Sequence, residues 1–158
     1  MTTTTEPMTE EMVEQAAADS SPSHTETIET VISAMDADQS AMVNQTGNVW
    51  KFRYGTVNVA VSITGQEPTD TFTVVATVMP LPVQDELGLF RYLLEKNAVD
   101  TFESHFAIEN DQVIVISSRS VEDLSAAEIS RIITIVATIA DEYDEELKEK
   151  FPPLNPSA

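Results

Sequence analysis

The fold is decided by a stretch of alternating residues, 50–63, which reads WKFRYGTVNVAVSI. In its first half three aromatic residues alternate with Lys51 and Arg53, and in its second half four β-branched residues alternate with small or polar ones. A period of two is the signature of a β-strand. Gly55 and Thr56, between the halves, favour a tight two-residue reversal. The stretch therefore predicts a β-hairpin.

The two halves of this hairpin agree in register. With a two-residue loop, each aromatic residue lies opposite a valine, and the predicted pairs are Tyr54–Val57, Phe52–Val59 and Trp50–Val61. All the large apolar groups then share one face. This register assigns the aromatic residues to the core rather than to a platform for stacking nucleic-acid bases. It leaves Lys51 and Arg53 on the opposite face.

Periodicity divides the rest of the chain into further elements. The predicted helices cover 25–38, 84–96 and 126–149, and the further strands cover 72–79, 101–107 and 113–117. Two helix starts carry capping-box spacing, Ser23 with Glu26 and Ser125 with Glu128. Short connections between successive strands favour an antiparallel sheet with the helices packed mainly on one face. The predicted class is α+β, in the order α-βββ-α-ββ-α.

Composition excludes several classes of protein. The chain has 158 residues with 27 Asp and Glu, eight Lys and Arg, a formal net charge of −19 and no cysteine. Such a field repels nucleic acid and anionic membranes. Without cysteine there is no disulfide or thiolate metal site. The sequence contains no run of about 18 apolar residues, so it predicts no membrane insertion. No secretory signal is visible either, and we therefore expect a cytoplasmic protein. The charge serves either solubility alone or attraction to a basic partner.

The charge and composition also suggest three segments. Residues 1–22 are rich in Thr, Glu, Ser and Ala and hold no basic residue, which predicts a disordered acidic leader. Residues 23–151 form the predicted folded domain. Residues 152–158 contain three prolines and predict a Pro-rich tail that frays from the last helix.

Three local patterns carry a resemblance to a known family. They are LLEKNA at 93–98, IENDQVIV at 108–115 and ADEYDEEL at 140–147. With the element order, over about residues 24–151, the chain resembles the YbjN family and the related type III secretion chaperones of the CesT-like fold. The resemblance implies a non-enzymatic, usually dimeric protein. Chaperone-like members hold an extended peptide, and YbjN-like members are linked to regulation of motility, surface structures and stress.

Residues that could carry chemistry do not form a recognisable set. The four glycines are isolated, no serine lies in a G-x-S-x-G setting, and His24 and His105 lie far apart in the sequence. The acidic cluster Asp141, Asp144 and Glu145 reads as a solvated helix end rather than a calcium site, because one straight helix cannot surround an ion. We therefore predict no catalytic residue, no metal site, no cofactor and no enzymatic activity.

Two surfaces remain as candidates for binding a protein or peptide. The first is the outward sheet face, with predicted partner-binding residues Lys51, Arg53, Ala60, Val75 and Met79. Its alternative is an ordinary solvent face, and a partner strand could also add to an open sheet edge.

The second candidate surface is the middle helix, where Leu87, Phe90 and Leu94 are predicted to face the core. Its other apolar residues, predicted as a homodimer interface, are Leu89, Tyr92 and Leu93. Their alternative is packing against the long helix.

A second functional hypothesis belongs to another class. The apolar face of the long helix is widened by Ile135 and Ile139 beyond what one sheet contact requires. A sheet and helix separated there could enclose a lipid-like ligand or metabolite, which would make the protein a small-molecule sensor.

Overall fold

The structure, a computed structural model, describes residues 22–155. The predicted leader, apart from its last residue, and the last three residues of the predicted tail lie outside the described residues. The helices are α1 (His24–Met35), α2 (Glu86–Val99) and α3 (Ala126–Lys150). The strands are β1 (Met42–Val43), β2 (Val49–Tyr54), β3 (Val57–Ile63), β4 (Thr71–Pro80), β5 (His105–Glu109) and β6 (Gln112–Ser120). The predicted order is confirmed, with the short β1 as an addition.

The six strands form one antiparallel sheet in the order β1-β2-β3-β4-β6-β5. The predicted hairpin register is confirmed at all three aromatic–valine pairs. Its aromatic side chains turn inward: Trp50 and Phe52 are buried, and Tyr54 packs against the core from its edge.

The core lies between the sheet and the helices. The inner faces of β3, β4 and β6 are buried beneath α3, and α1 packs beside α3 with Ile28 and Ile32 buried. The apolar stripe of α3 is buried from Ile129 to Leu147, with Tyr143 partly covered. One face of the sheet is therefore covered and the other is left open.

Both predicted cap residues mark helix starts, with the full capping box at α1 and the serine half of it at α3. At α1 the Ser23 hydroxyl accepts from the Glu26 amide (3.1 Å), and the Glu26 carboxylate accepts from the Ser23 amide (3.3 Å). At α3 the Ser125 hydroxyl accepts from the Glu128 amide (3.1 Å). These contacts satisfy amides that a helix start leaves without an internal partner.

The strand predicted over 101–107 begins later, at His105. The Ser104 amide donates to the Thr101 carbonyl (2.9 Å), which closes a turn. Phe102 has a positive φ of 51° in this turn and is exposed. A strand over 101–107 would place Phe102 on one face with Ser104 and Phe106, but the positive φ at Phe102 breaks that alternation.

The leucines of α2 lie on the opposite sides from those predicted, whereas Phe90 is partly buried against the core as predicted. Leu89 and Leu93 are buried, whereas Leu87 is 82% exposed and Leu94 is 70% exposed. Helical period produces two apolar stripes here, and it cannot decide which one meets the core. The helix packs near β5 and the end of α3, where the Tyr92 and Phe151 rings lie 5.8 Å apart.

The chain after α3 is held against the loop that precedes α2. The Gln84 amide donates to the Pro152 carbonyl (3.0 Å), and the Leu154 amide donates to the Pro82 carbonyl (3.2 Å). Phe151 is buried. The predicted fraying therefore does not begin before residue 154.

Candidate partner-binding surface

The open face of the sheet is built from residues that alternate with the core residues in each strand. One row in register crosses all six strands and consists of Met42, Lys51, Ala60, Val75, Ile116 and His105. The next row consists of Arg53, Asn58, Thr77, Ile114 and Ala107. The face thus has aliphatic side chains at its centre and basic ones near its β2 edge.

Four of the five predicted partner-binding residues lie together in one groove on this face. Lys51, Arg53, Ala60 and Val75 line a surface depression of about 500 Å³, along with Ser40, Met42, Asn58 and Thr77. We call this depression the outer-face groove. Antiparallel pairing assembles it, because Lys51 opposes Ala60, and Ala60 in turn opposes Val75.

Met79, the fifth predicted residue, does not belong to the outer-face groove. The register of β4 against β6 shifts between Thr77 and Met79, so that Met79 pairs with Val113, a core residue. This irregularity turns Met79 inward, where it is 3% exposed. Strict alternation predicted the outward face, and a β-bulge is the feature that breaks alternation.

The charge of the groove differs from that of the rest of the molecule. Among the six strands that the structure describes, Glu109 is the only acidic residue. Lys51 and Arg53 are exposed, and no carboxylate of residues 22–155 forms an ion pair with either. The acidic groups concentrate instead on helices and loops, including the end of α3. The outer-face groove therefore joins an apolar floor to the positive charges of Lys51 and Arg53, although the protein as a whole is strongly acidic.

A hydrogen-bonded chain that the sequence did not reveal fixes the rim of the groove. The Arg53 amide donates to the Ser40 hydroxyl (2.8 Å), which donates to the Asp36 carboxylate (2.7 Å). That carboxylate also accepts from the amides of Ser40 (3.0 Å) and Ala41 (2.7 Å). The hydrogen bonds from Ser40, its hydroxyl first, lower the pKa of Asp36 below its ordinary value. The loop after α1 is thereby tied to the edge of β2.

The opposite edge of the sheet is covered by a side-chain amide. Asn97 donates to the Phe106 carbonyl (3.1 Å) and accepts from the Phe106 amide (2.7 Å), as a neighbouring strand would. Covering free edge groups discourages another strand from pairing there. Near the other edge, Ser40 accepts from the Arg53 amide of β2.

The tip of the β2–β3 hairpin is anchored to α3. The Asp141 carboxylate accepts from the Thr56 amide (3.1 Å), and the single Thr56 hydroxyl proton is shared between Asp141 (3.2 Å) and Asp144. Lys148 lies 2.5 Å from the Asp144 carboxylate. Asp144 is 1% exposed, so the expectation that it belongs to a solvated helix end is wrong. The carboxylates have a structural use in holding the hairpin tip.

The exposed side of α2 forms a second surface. Leu87, Phe90, Leu94 and Ala98 line an apolar depression, with Arg91 among the lining residues. We call Leu87, Phe90, Leu94 and Ala98 the α2 apolar face. Of the predicted dimer residues, Leu89 and Leu93 are core residues, and the Tyr92 hydroxyl donates to Glu146 of α3 (3.0 Å). The alternative reading, packing within the chain, therefore holds for these three.

The remaining candidates do not converge on a site. His24 Nε2 lies 3.0 Å from the Leu124 carbonyl, and His105 is an exposed residue of β5. Within residues 22–155, no group of three or more His, Asp or Glu side chains is placed to hold a metal ion. Ile139 is buried, and Ile135 lines a surface depression beside Phe102 rather than a space between sheet and helix.

Comparison with known proteins identifies the family. Residues 24–149 match the YbjN family, described as "Putative bacterial sensory transduction regulator". The chain belongs to this family, as the three sequence patterns implied. No curated protein matches it. Across the part of the chain that the structure describes, we find no helix with the length and apolarity to cross a membrane.

Solved structures show the same fold at low identity. The type III secretion chaperone SycH of Yersinia pestis, in complex with a stable fragment of YscM2, is 13% identical, with 75% of this chain and 97% of that chain covered and a TM-score of 0.50. YbjN from E. coli is 14% identical, with 82% and 94% covered and a TM-score of 0.49. ExsC in the ExsC–ExsE complex is 16% identical, with 67% and 73% covered and a TM-score of 0.46. The family description indicates a regulatory role, and the likeness to SycH shows the fold.

Proposed function

We propose that this YbjN-family protein is a non-enzymatic binding module that receives an extended segment of a partner protein in the outer-face groove. One observation carries the proposal: the groove joins an aliphatic floor, Ala60 and Val75, to two cations without carboxylate partners in residues 22–155. Membership of a regulator family supports a role through partners rather than through chemistry.

The lining of the groove specifies the kind of segment that fits. Apolar side chains would cover Ala60 and Val75, and each Å² of apolar surface removed from water contributes about 25 cal/mol. A carboxylate paired with exposed Lys51 or Arg53 adds only about 0.2–1 kcal/mol. Affinity would therefore come mainly from apolar contact, while the cations select acidic segments and set their register. The complex of SycH with a fragment of YscM2 supports a protein segment as the ligand of this fold.

A matched pair of double variants tests the groove. Lys51→Glu/Ala60→Asp places two carboxylates in the groove, and Lys150→Glu/Ala127→Asp makes the same replacements at exposed positions of α3. We expect the groove variant to bind its partner at least about tenfold more weakly, since repulsion and a polar group on the apolar floor together cost more than about 1.4 kcal/mol. The α3 variant should bind like wild type.

The measurement is quantitative capture from cell lysate, followed by titration of the captured protein against each purified variant. Circular dichroism of both variants controls for folding. Identical partners and affinities for wild type and the groove variant would contradict the proposed site.

We also propose that two copies associate through the α2 apolar face. Leu87 and Leu94 are among the most exposed apolar residues of the structure, and they lie on the same side of one helix. Fully burying a leucine side chain contributes about 1.5–3 kcal/mol. In a twofold interface both copies contribute the same residues, so four leucine side chains would be buried. This face replaces the Leu89, Tyr92 and Leu93 set predicted from the sequence.

The double variant Leu87→Asp/Leu94→Asp should convert a dimer into a monomer, because it would bring four carboxylates into a twofold apolar interface. Light scattering after size exclusion measures the mass. The control, Val43→Asp/Leu154→Asp, alters two half-exposed apolar residues elsewhere and should leave the mass unchanged. A monomeric wild type, or a double variant that stays dimeric, would refute this interface.

A further inference from the structure

Lys51 and Arg53 stand apart among the basic residues of the chain. All eight Lys and Arg lie within residues 22–155, and five of them pair with carboxylates there: Arg91, Lys96, Arg119, Arg131 and Lys148. Lys150 lies over the Tyr92 ring, with 4.5 Å between its ammonium nitrogen and the ring centroid. In a chain of net charge −19, the two groove cations are thus left without a carboxylate partner among the described residues.

The complementary charges lie at the start of the same chain. Residues 1–21 contain Glu6, Glu10, Glu11, Glu14 and Asp19 and no Lys or Arg. The same segment holds apolar side chains next to these acids, Met8, Met12 and Val13. It therefore combines the two properties that the groove selects, carboxylates for the cations and apolar groups for the aliphatic floor.

The point of attachment leaves this segment within reach of the groove. The described chain enters α1 at Ser23, beside the connection between β6 and α3, where His24 contacts the Leu124 carbonyl. Twenty-one extended residues span up to about 70 Å. Six strands at about 4.8 Å spacing make the sheet only about 24 Å wide. A segment attached at Ser23 can therefore pass round the sheet and reach its outer face.

We propose that residues 1–21 bind the outer-face groove of their own chain and compete there with the partner segment. This inference rests on the proposed function of the groove and adds its regulation. A tethered segment faces its site at an effective concentration of about millimolar, so weak contacts suffice to occupy it. A partner must then outcompete the leader, and the exposed charge contacts should weaken as salt rises.

The absence of cysteine allows a direct test in the full-length purified protein. Thr9→Cys supplies a single thiol for a nitroxide spin label, which broadens the NMR signals of amides that it approaches. We expect loss of the Ala60, Val75 and Thr77 amide signals at low salt and their partial recovery at high salt, which screens the charge contacts and not the apolar ones. The amides of exposed α3 residues should keep their intensity. Equal broadening on both faces, loss at α2 instead, or no loss would overturn the proposal.

Charge variants separate specific docking from chance proximity. Lys51→Glu/Arg53→Glu should restore the lost signals, whereas Arg131→Glu/Lys150→Glu, with the same charge change on α3, should not. Should the groove variant misfold, Glu10→Gln/Glu11→Gln/Glu14→Gln removes the charges from the leader alone and should also restore the signals. Persistent loss in that variant would overturn the charge pairing.

The outcome is distinguishable from failure of the proposed function. If the leader gives no signal loss but the groove variant loses its protein partner, the groove binds a partner and self-occupancy is refuted. If the leader docks and no partner depends on the groove, the proposed function fails instead.

Discussion

Replacing Trp50 with alanine is expected to lower the free energy of unfolding by about 3–5 kcal/mol, the usual cost of removing a large aromatic side chain from a core. Trp50 is 1% exposed, lies opposite Val61 in the hairpin and is covered by the helical layer. Its indole nitrogen has only a long hydrogen bond to Glu29 (3.4 Å). The loss should therefore come from the cavity and lost apolar burial rather than from that hydrogen bond.

Urea unfolding followed by circular dichroism measures this effect, because the variant lacks the chain's single tryptophan and cannot be followed by its fluorescence. Trp50→Phe keeps most of the apolar volume and should cost clearly less. Glu29→Ala removes the hydrogen-bond acceptor alone and should cost under about 1 kcal/mol. A Trp50→Ala loss no larger than that of Glu29→Ala would mean that Trp50 does not fill the core.

The hairpin was predictable because two independent constraints agree within one short stretch. Alternation fixes which residues share a face, and the two-residue loop fixes which residues oppose one another. The same pairing places Lys51 beside Ala60 on the outer face, so most of the candidate groove followed from local sequence alone.

The features that sequence did not predict depend on long-range packing or on small backbone irregularities. Met79 faces the core because β4 shifts its register by one residue, and no residue type near it marks that shift. The orientation of α2 depends on which stripe meets β5 and the chain end at Phe151. The contacts made by Asn97 with Phe106 join residues nine apart through a turn at Phe102 that alternation could not reveal.

The rim of the groove illustrates the same limit for polar residues. In the sequence, Asp36 and Ser40 resemble ordinary loop residues. In the structure they hold the groove rim, because the Ser40 hydroxyl accepts a hydrogen bond from the Arg53 amide and donates one to Asp36. Polar networks of this kind require the position of a distant backbone group, which a single sequence does not supply. The groove's aliphatic floor and cations could thus be predicted, while the contacts that hold its rim could not.

Gly55→Ala is expected to destabilise the protein by about 2–5 kcal/mol, through two separate effects. Gly55 has a φ of +56°, a conformation in which a residue with a Cβ atom is strained by about 1–2 kcal/mol. A Cβ atom there would also overlap the Asp141 carboxylate. That carboxylate would have to move away from the Thr56 amide and hydroxyl, each hydrogen bond contributing about 0.5–1.5 kcal/mol.

Gly47→Ala is a matched control, because Gly47 has a φ of +70° but no atom within 4 Å of the added carbon. It should show the backbone effect alone, so the difference between the two variants measures the docking of the hairpin tip on α3. In an Asp141→Ala background that difference should shrink, since the overlapping carboxylate is gone. Equal losses for the two glycine variants would show that Asp141 contributes nothing.

Because Arg53 Nε donates to the Gly55 carbonyl (3.4 Å), Gly55→Ala should also weaken partner binding at the groove, whereas Gly47→Ala should not.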